Sequence, residues 1–182
     1  MDIAEQKKEI RRQIKAQKAE LDAQRKQAMS RQIAEAVEQM PEFAGAQTII
    51  AYWALPDEVD LNDAIVRWAS SRAVYLPVMV GRSLEFRQFT EVAGLNSDNG
   101  FGIGEPTAGR LLPPGCHVDL MLVPGIAFTA GGARLGRGRG FYDRIMQRFA
   151  STFKCGIAFP FQIVGSLPCE PHDMTVDRVV CQ

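Results

Sequence analysis

The stretch DLMLVPGIAFTAGGARLGRGRGFYD, residues 119–143, decides the fold. Its first part, 119–125, is a continuous apolar run, the pattern of a strand buried on both faces of a sheet. Its last residues open FYDRIMQRF (141–149), which reads as a helix. Between them lie Gly131, Gly132, Gly136, Gly138 and Gly140, with Arg134, Arg137 and Arg139 interleaved. In open α/β sheets, ligands bind beyond the carboxyl ends of the strands, where such a loop lies. The glycines let backbone approach a ligand closely. The loop N–H groups and the start of the following helix form an anion cradle. The arginines add permanent charge with forked donors suited to phosphate. Together these features predict a polyphosphate site. The spacing matches neither the GxxxxGK[ST] phosphate loop nor the GxGxxG dinucleotide fingerprint.

Outward from this centre the chain alternates strands and helices. TIIAYWA (48–54), AVYLPVM (73–79), LEFRQF (84–89), KCGIAF (154–159) and VDRVVC (176–181) read as strands. Pro77 sets the second of them near an edge or a bulge. Residues 61–71 form a helix capped by Asp60, with Leu61, Ile65 and Trp68 on one face. Residues 3–40 are dominated by good helix formers and end at Pro41; a break near 20–22, with Asp22 as cap, makes two helices. The glycine-rich stretch 93–116 is a long loop, a class that is usually functional or mobile. The pattern predicts one α/β domain, 1–182, with a substantially parallel sheet.

Composition narrows the function. Lys plus Arg and Asp plus Glu are 21 each, so no basic excess suggests bulk nucleic-acid binding. Residues 134–148 do carry five arginines, but apolar structure flanks them and 41–109 is net acidic, unlike a disordered RNA-binding tract. The polar first 30 residues do not read as a signal peptide, and no apolar run approaches the ~20 residues a membrane span needs. Cys116, Cys155, Cys169 and Cys181 form no CxxC pair. They are expected as reduced thiols in a cytoplasmic protein.

Several satellite residues have two readings each. Lys7 and Arg11 share a helix face, as a surface basic patch or as phosphate ligands. Asp143, in the first turn after the loop, either complements the helix dipole or holds Mg²⁺ beside phosphates. Glu58 is a helix-entry acid or an acceptor for a ligand's paired donors, and Trp53 is a core aromatic or an apolar ligand contact. His172-Asp173 is equally compatible with turn chemistry.

The run from 119 to Arg144 resembles the signature of the 5-formyltetrahydrofolate cyclo-ligase family: an apolar strand, PG-x-x-F, then RLG-R-G-[KR]-G-[YF]-YD. Outlying features follow in family order. They are Lys7, Ile10 and Arg11 at a helix start, Asp57-Glu58 after the first strand, a G-I-x-E-P loop at Gly102–Pro106, and D-M-x-V-D at Asp173–Asp177. The resemblance implies a three-layer α/β sandwich, Rossmann-like, with N-terminal helices packed over an ATP site. It implies ATP-dependent cyclisation of 5-formyltetrahydrofolate to 5,10-methenyltetrahydrofolate, through phosphorylation of the formyl oxygen and attack by N10. The roles it carries over are ATP contact by Lys7, Lys8, Glu9, Ile10 and Arg11, and by Arg134, Leu135, Gly136, Arg137, Gly138, Arg139, Gly140, Phe141 and Tyr142. Folate contact falls to Trp53 and Glu58, with Arg137, Gly138, Arg139, Gly140 and Phe141. Mg²⁺ falls to Asp143 and Asp173, and catalysis to Arg137, Arg139 and Lys7. The implied partners are small molecules, for a monomer with no nucleic-acid or membrane role. Phe141 replaces the tyrosine of many members, which removes a hydroxyl and keeps the ring.

Overall fold

The computed structural model describes residues 2–81, 83–99 and 102–182. In chain order it contains α1 (Ile3–Ala19), α2 (Ala23–Glu38), a short α3 (Pro41–Gly45), β1 (Thr48–Ile50), α4 (Asn62–Trp68), β2 (Ala73–Val80) and β3 (Ser83–Gln88). There follow β4 (Leu95–Asn96), β5 (Glu105–Pro106), β6 (Leu120–Pro124), β7 (Ala127–Phe128), β8 (Arg134–Leu135), α5 (Phe141–Arg148), β9 (Phe153–Ile157) and β10 (Arg178–Val180). The two long helices start where the sequence offers carboxylate caps. Asp2 accepts from the Glu5 N–H in a capping box, and Asp22 accepts from the Arg25 N–H.

Six strands form one sheet in the order β10-β9-β6-β1-β2-β3. All neighbours are parallel except β2 and β3, a hairpin that adds one antiparallel edge. Side chains alternate across the sheet. Ile49, Ala51, Leu120 and Leu122 pack with Ile33 and Val37 of α2, Phe43 of α3 and Trp68 of α4. Ile50, Met121 and Val123 pack with Ile145, Met146 and Phe149 of α5 on the other face. Ile49, Ile50, Leu120, Met121 and Leu122 are fully enclosed. Each contributes roughly 1.5–3 kcal/mol of burial before the entropy cost of ordering it.

The chain leaves β1 toward β2 through α4 on one face, and leaves β6 toward β9 through α5 on the other. The β1/β6 boundary is therefore the switch point of the sheet, where a crevice opens at the carboxyl ends. The N-terminal segment divides in two. α2 covers the sheet, whereas Ile10 and Ile14 of α1 pack on Ile126, Ala127 and Leu135 beside the glycine-arginine loop.

Three expectations change. The helix expected over 61–71 under an Asp60 cap runs only from Asn62 to Trp68, with Leu61 at its N-cap, and Asp60 accepts from the Asn62 N–H in the turn before it. The first strand stops at Ile50, although the β-prone residues run to Ala54. Its ladder to β2 ends at the Ile50–Tyr75 pair, and Tyr52 turns in to donate its hydroxyl hydrogen to the Val59 carbonyl. The loop after β6 is not irregular throughout, because it contains the β7–β8 hairpin. Gly132 in its turn has φ +85°, and a Cβ there would lie 2.2 Å from the Val176 carbonyl oxygen, so the hairpin docks on the C-terminal segment only as glycine. Of the long stretch 93–116, Gly100 and Phe101 lie outside the described residues; the rest forms the β4–β5 pair and connecting turns.

Candidate active site

A cleft of about 710 Å³ occupies the carboxyl edge of the sheet. Its walls come from the chain leaving β1, the far half of β2, the end of β6, the glycine-arginine loop, α1 and the segment around Asp173. One arm is basic and the other largely apolar.

The basic arm is built by the loop and α1. Gly138 and Gly140 adopt positive φ, and Gly140 is the N-cap of α5, so the open amides of that helix face the same space as the loop. Arg11 crosses from α1 and donates from Nε to the Gly136 carbonyl at 2.9 Å. Arg134 is buried and donates to the Pro124 carbonyl at 3.2 Å and to Asp143 at 3.4 Å. Burial pulls its pKa down, opposed by the nearby Asp143 carboxylate. Its Nε is buried with no hydrogen-bond partner among the described residues. The Arg134 guanidinium also sits 5.5 Å from the Tyr142 ring centroid, and burial raises that phenol's pKa.

Lys7 joins α1 to the far end of the chain. Its buried Nζ lies 2.7 Å from both Glu170 Oε2 and Asp173 Oδ2. Burial disfavours the ammonium, but the two carboxylates outweigh it and hold the pKa above its ordinary value. Asp173 is shifted the other way: burial works to raise it, and the Lys7 hydrogen bond with the Glu170 N–H prevails and lowers it. Asp143 accepts from the Met174 N–H at 3.2 Å, so the two acids predicted as metal ligands are one residue apart through Met174. Glu170, His172 and Asp173 offer ligand atoms within 4.8 Å of one another. That group leaves out Asp143, whose carboxylate is held by Arg134 and the Met174 N–H, but Asp143 and Asp173 both offer the carboxylate oxygens that suit a hard divalent cation.

The apolar arm holds Trp53, Leu55, Pro77, Met79, Leu84 and Ile103. Trp53 stacks on Phe89 at 5.6 Å and lies against Gly104, where a Cβ would come within 2.6 Å of the indole. Glycine at 104 is thus what allows the loop to close over the ring. Glu58 stands at the junction of the two arms. Its Oε2 accepts from the Leu55 N–H at 3.1 Å, and its Oε1 faces Arg137 at 3.0 Å. Arg137 also reaches Asp57 at 2.6 Å, and Asp57 in turn meets Lys18 of α1 at 3.2 Å. Burial would raise the Asp57 pKa, but the two cations hold it below the usual carboxylate range. For Lys18, burial dominates and lowers the pKa.

Most residues singled out from the sequence meet in this one cleft. Lys7, Arg11, Trp53, Glu58, the run Arg134–Asp143 and Asp173 all line it. Three carried over from the family pattern lie off it. Lys8 is exposed, Glu9 pairs with Arg12 at 2.6 Å, and Ile10 packs on the hairpin. Helical spacing explains this: positions 7 and 11 share a face, and 8, 9 and 10 point elsewhere. Sequence reasoning assigned no role to Tyr52, Asp57, Lys18, Glu105, Glu170 or His172. Asp57 and Glu105 had a signal, since both fall inside the quoted family motifs.

The comparisons identify the family and the fold. The sequence model of the 5-formyltetrahydrofolate cyclo-ligase family matches residues 3–182. The chain is 30% identical over 174 residues to the 5-formyltetrahydrofolate cyclo-ligase of Escherichia coli (strain K12), covering 92% of this chain and 95% of that one. It superposes on the NMR structure of Aquifex aeolicus 5,10-methenyltetrahydrofolate synthetase with a TM-score of 0.86 and 30% identity, over 96% of this chain and 89% of that one. A 5,10-methenyltetrahydrofolate synthetase from Mycoplasma pneumoniae, 23% identical, shares the fold with a TM-score of 0.75 over 96% of this chain and 97% of that one.

Proposed function

The chain belongs to the 5-formyltetrahydrofolate cyclo-ligase family, and we propose that it performs that reaction with the pterin in the apolar arm and the ATP phosphates in the basic arm. The reaction is the ATP-dependent conversion of 5-formyltetrahydrofolate to 5,10-methenyltetrahydrofolate, with release of ADP and phosphate. One observation carries the assignment of the two arms. Arg137 spans the junction, within 3.0 Å of Glu58 on the apolar side, and belongs to the loop that forms the basic side.

The chemistry needs activation because a formyl amide is a poor electrophile. The formyl oxygen attacks the γ-phosphorus of ATP, ADP leaves, and an N5-iminium phosphate results. N10 then attacks the activated carbon and gives up its proton, and phosphate departs with the C–O bond to leave the methenyl bridge. This sequence asks the protein mainly for positioning and charge stabilisation. Arg137 and Arg139 face the transferring phosphoryl group. Lys7 orients the Glu170–Asp173 pair and contributes its charge to the phosphates. Asp143 and Asp173 are the residues that would hold Mg²⁺, which when bound offsets phosphate charge. The apolar arm excludes water from the reactive iminium, with Trp53 against one wall.

The test is absorbance of the methenyl product with purified protein. Product is expected only when ATP and Mg²⁺ are both present. No product with both present, together with no ATP binding in calorimetry, would overturn the assignment.

A further inference from the structure

The apolar arm has one wall made of strand edge. In β2, residues 73 and 75 direct their backbone groups toward β1, as in the Ala51 N–H to Tyr75 carbonyl bond. Alternation sends those of Pro77 and Met79 the same way. β1 ends opposite Tyr75, so the cleft replaces it beside Pro77 and Met79, and both line that cleft. Open strand edges in half-buried positions need partners. Proline at 77 removes one N–H outright. The Met79 N–H is taken by Glu105, which reaches in from β5 and accepts through Oε1 at 2.9 Å. The other Glu105 oxygen, Oε2, has no hydrogen-bond or ion-pair partner among the described residues, although Glu105 is half-buried and lines the cleft.

The arm therefore presents acceptors: the Glu58 carboxylate, Glu105 Oε2 and the Pro77 carbonyl. At the junction Glu58 is already met by two donors of the protein, the Leu55 N–H on Oε2 and Arg137 on Oε1. A reduced pterin carries the matching set along one edge, with N3–H, the two hydrogens of the 2-amino group, and N8–H. A single carboxylate pairs with at most two of these at once. We propose that Glu105 is a second pterin-recognition residue, its Oε2 and the adjacent Pro77 carbonyl accepting from ring donors that Glu58 leaves unpaired. This deepens the functional reading above and rests on it. A half-buried carboxylate with one oxygen committed to the protein's own strand and one open to the cleft is pre-aimed, so recognition needs no rearrangement of β2 or β5. Glu105 thereby completes the strand edge and reads the ligand with the same side chain.

Glu105→Gln separates these two roles. The amide oxygen of glutamine still accepts from the Met79 N–H, so the strand edge stays satisfied, while an NH₂ donor now faces the cleft where an acceptor stood. The expected result is a KM for 5-formyltetrahydrofolate at least tenfold higher, with the KM for ATP and the melting temperature unchanged. Calorimetric titration of 5-formyltetrahydrofolate without ATP should show the same tenfold loss. Glu105→Ala, which removes both roles, should lose affinity and also melt lower. If wild type is active and Glu105→Gln keeps wild-type KM and affinity, with only the alanine variant destabilised, Glu105 merely caps β2 and the proposal is overturned. An inactive wild type would instead refute the functional reading itself.

Discussion

Replacing Arg137 by alanine should separate stability from turnover, and the structure gives both magnitudes. In the resting protein the Arg137 side chain is 45% exposed, and its partners Asp57 and Glu58 are 42% and 11% exposed. Ion pairs this open to solvent are screened and contribute about 0.2–1 kcal/mol each. The Glu58 pair, with one side shielded, lies at the upper end of that range. Truncation should therefore lower stability by no more than about 1–2 kcal/mol, because Lys18 still compensates Asp57. Turnover should suffer more. Losing one preorganised donor to a developing phosphoryl charge costs roughly 2–4 kcal/mol. At about 1.4 kcal/mol per decade that is some 30- to 700-fold in rate. Arg137→Lys should recover only part of this, since a point charge does not reproduce the forked, planar donor set that a guanidinium offers a phosphoryl group. The measurements are chemical denaturation and initial rates of methenyl formation at saturating ATP and folate. A variant that loses stability as expected but turns over within threefold of wild type would mean that Arg137 is only a strap between the loop and residues 57–58.

Three further outcomes follow from the same geometry. Glu58→Gln keeps an oxygen for the Leu55 N–H but exchanges the acceptor facing the cleft for a donor; folate affinity should fall at least tenfold, with ATP binding measured alone unchanged, and a wild-type folate isotherm would return Glu58 to the role of helix-entry acid. Asp143→Asn should sharply reduce turnover with the fold intact by circular dichroism, and normal turnover at limiting Mg²⁺ would remove it from the metal site. Asp173 and Asp57 titrate below the ordinary 3.8, so their contribution to stability is present above about pH 4 and lost as pH falls through the depressed values; Lys7, raised above 10.5, contributes fully below that pH and loses its share as pH rises past it. Lys7→Met should therefore flatten the acid limb of a stability–pH profile, and an unchanged slope below about pH 4 would show that the Lys7–Asp173 pair is not what sets it.

The 119–143 run was legible because each part is a local instruction: an apolar strand, glycines, arginines, a helix start. The pairing of residues 7 and 11 was legible from helical spacing, and Asp22 from cap chemistry. The β1 boundary was not, because Tyr52 and Trp53 are strand formers and their departure from the sheet depends on contacts such as the Tyr52 hydroxyl to the Val59 carbonyl. The hairpin within the glycine loop was hidden for a similar reason. Two-residue strands carry no periodicity, and their register depends on docking against Val176, over 40 positions away. Glu105 could be seen as part of a motif but not as a cleft residue, since its role depends on β2 having an open edge. Lys8, Glu9 and Ile10 show the converse. A contiguous motif on a helix is divided by the helix among different surroundings, and only part of it reaches the site.

The Lys7 ion pairs join residues 163 and 166 positions apart. A growing chain leaving the ribosome has made the sheet's central strands and the whole glycine-arginine loop well before Asp173 is added, yet until Glu170 and Asp173 follow, Lys7 has neither carboxylate and α1 rests on its other ties, Arg11 to Gly136, Lys18 to Asp57 and the packing of Ile10 and Ile14. Contacts this distant in sequence form late, since the intervening chain must first be ordered. Nascent intermediates would thus hold the loop under a cover fastened at one end, and full activity would wait for completion of the last acidic turn. Catalytic competence then reports on the finished molecule, and any lesion that delays docking of residues 170–173 is felt first as lost activity in a protein whose core is already formed.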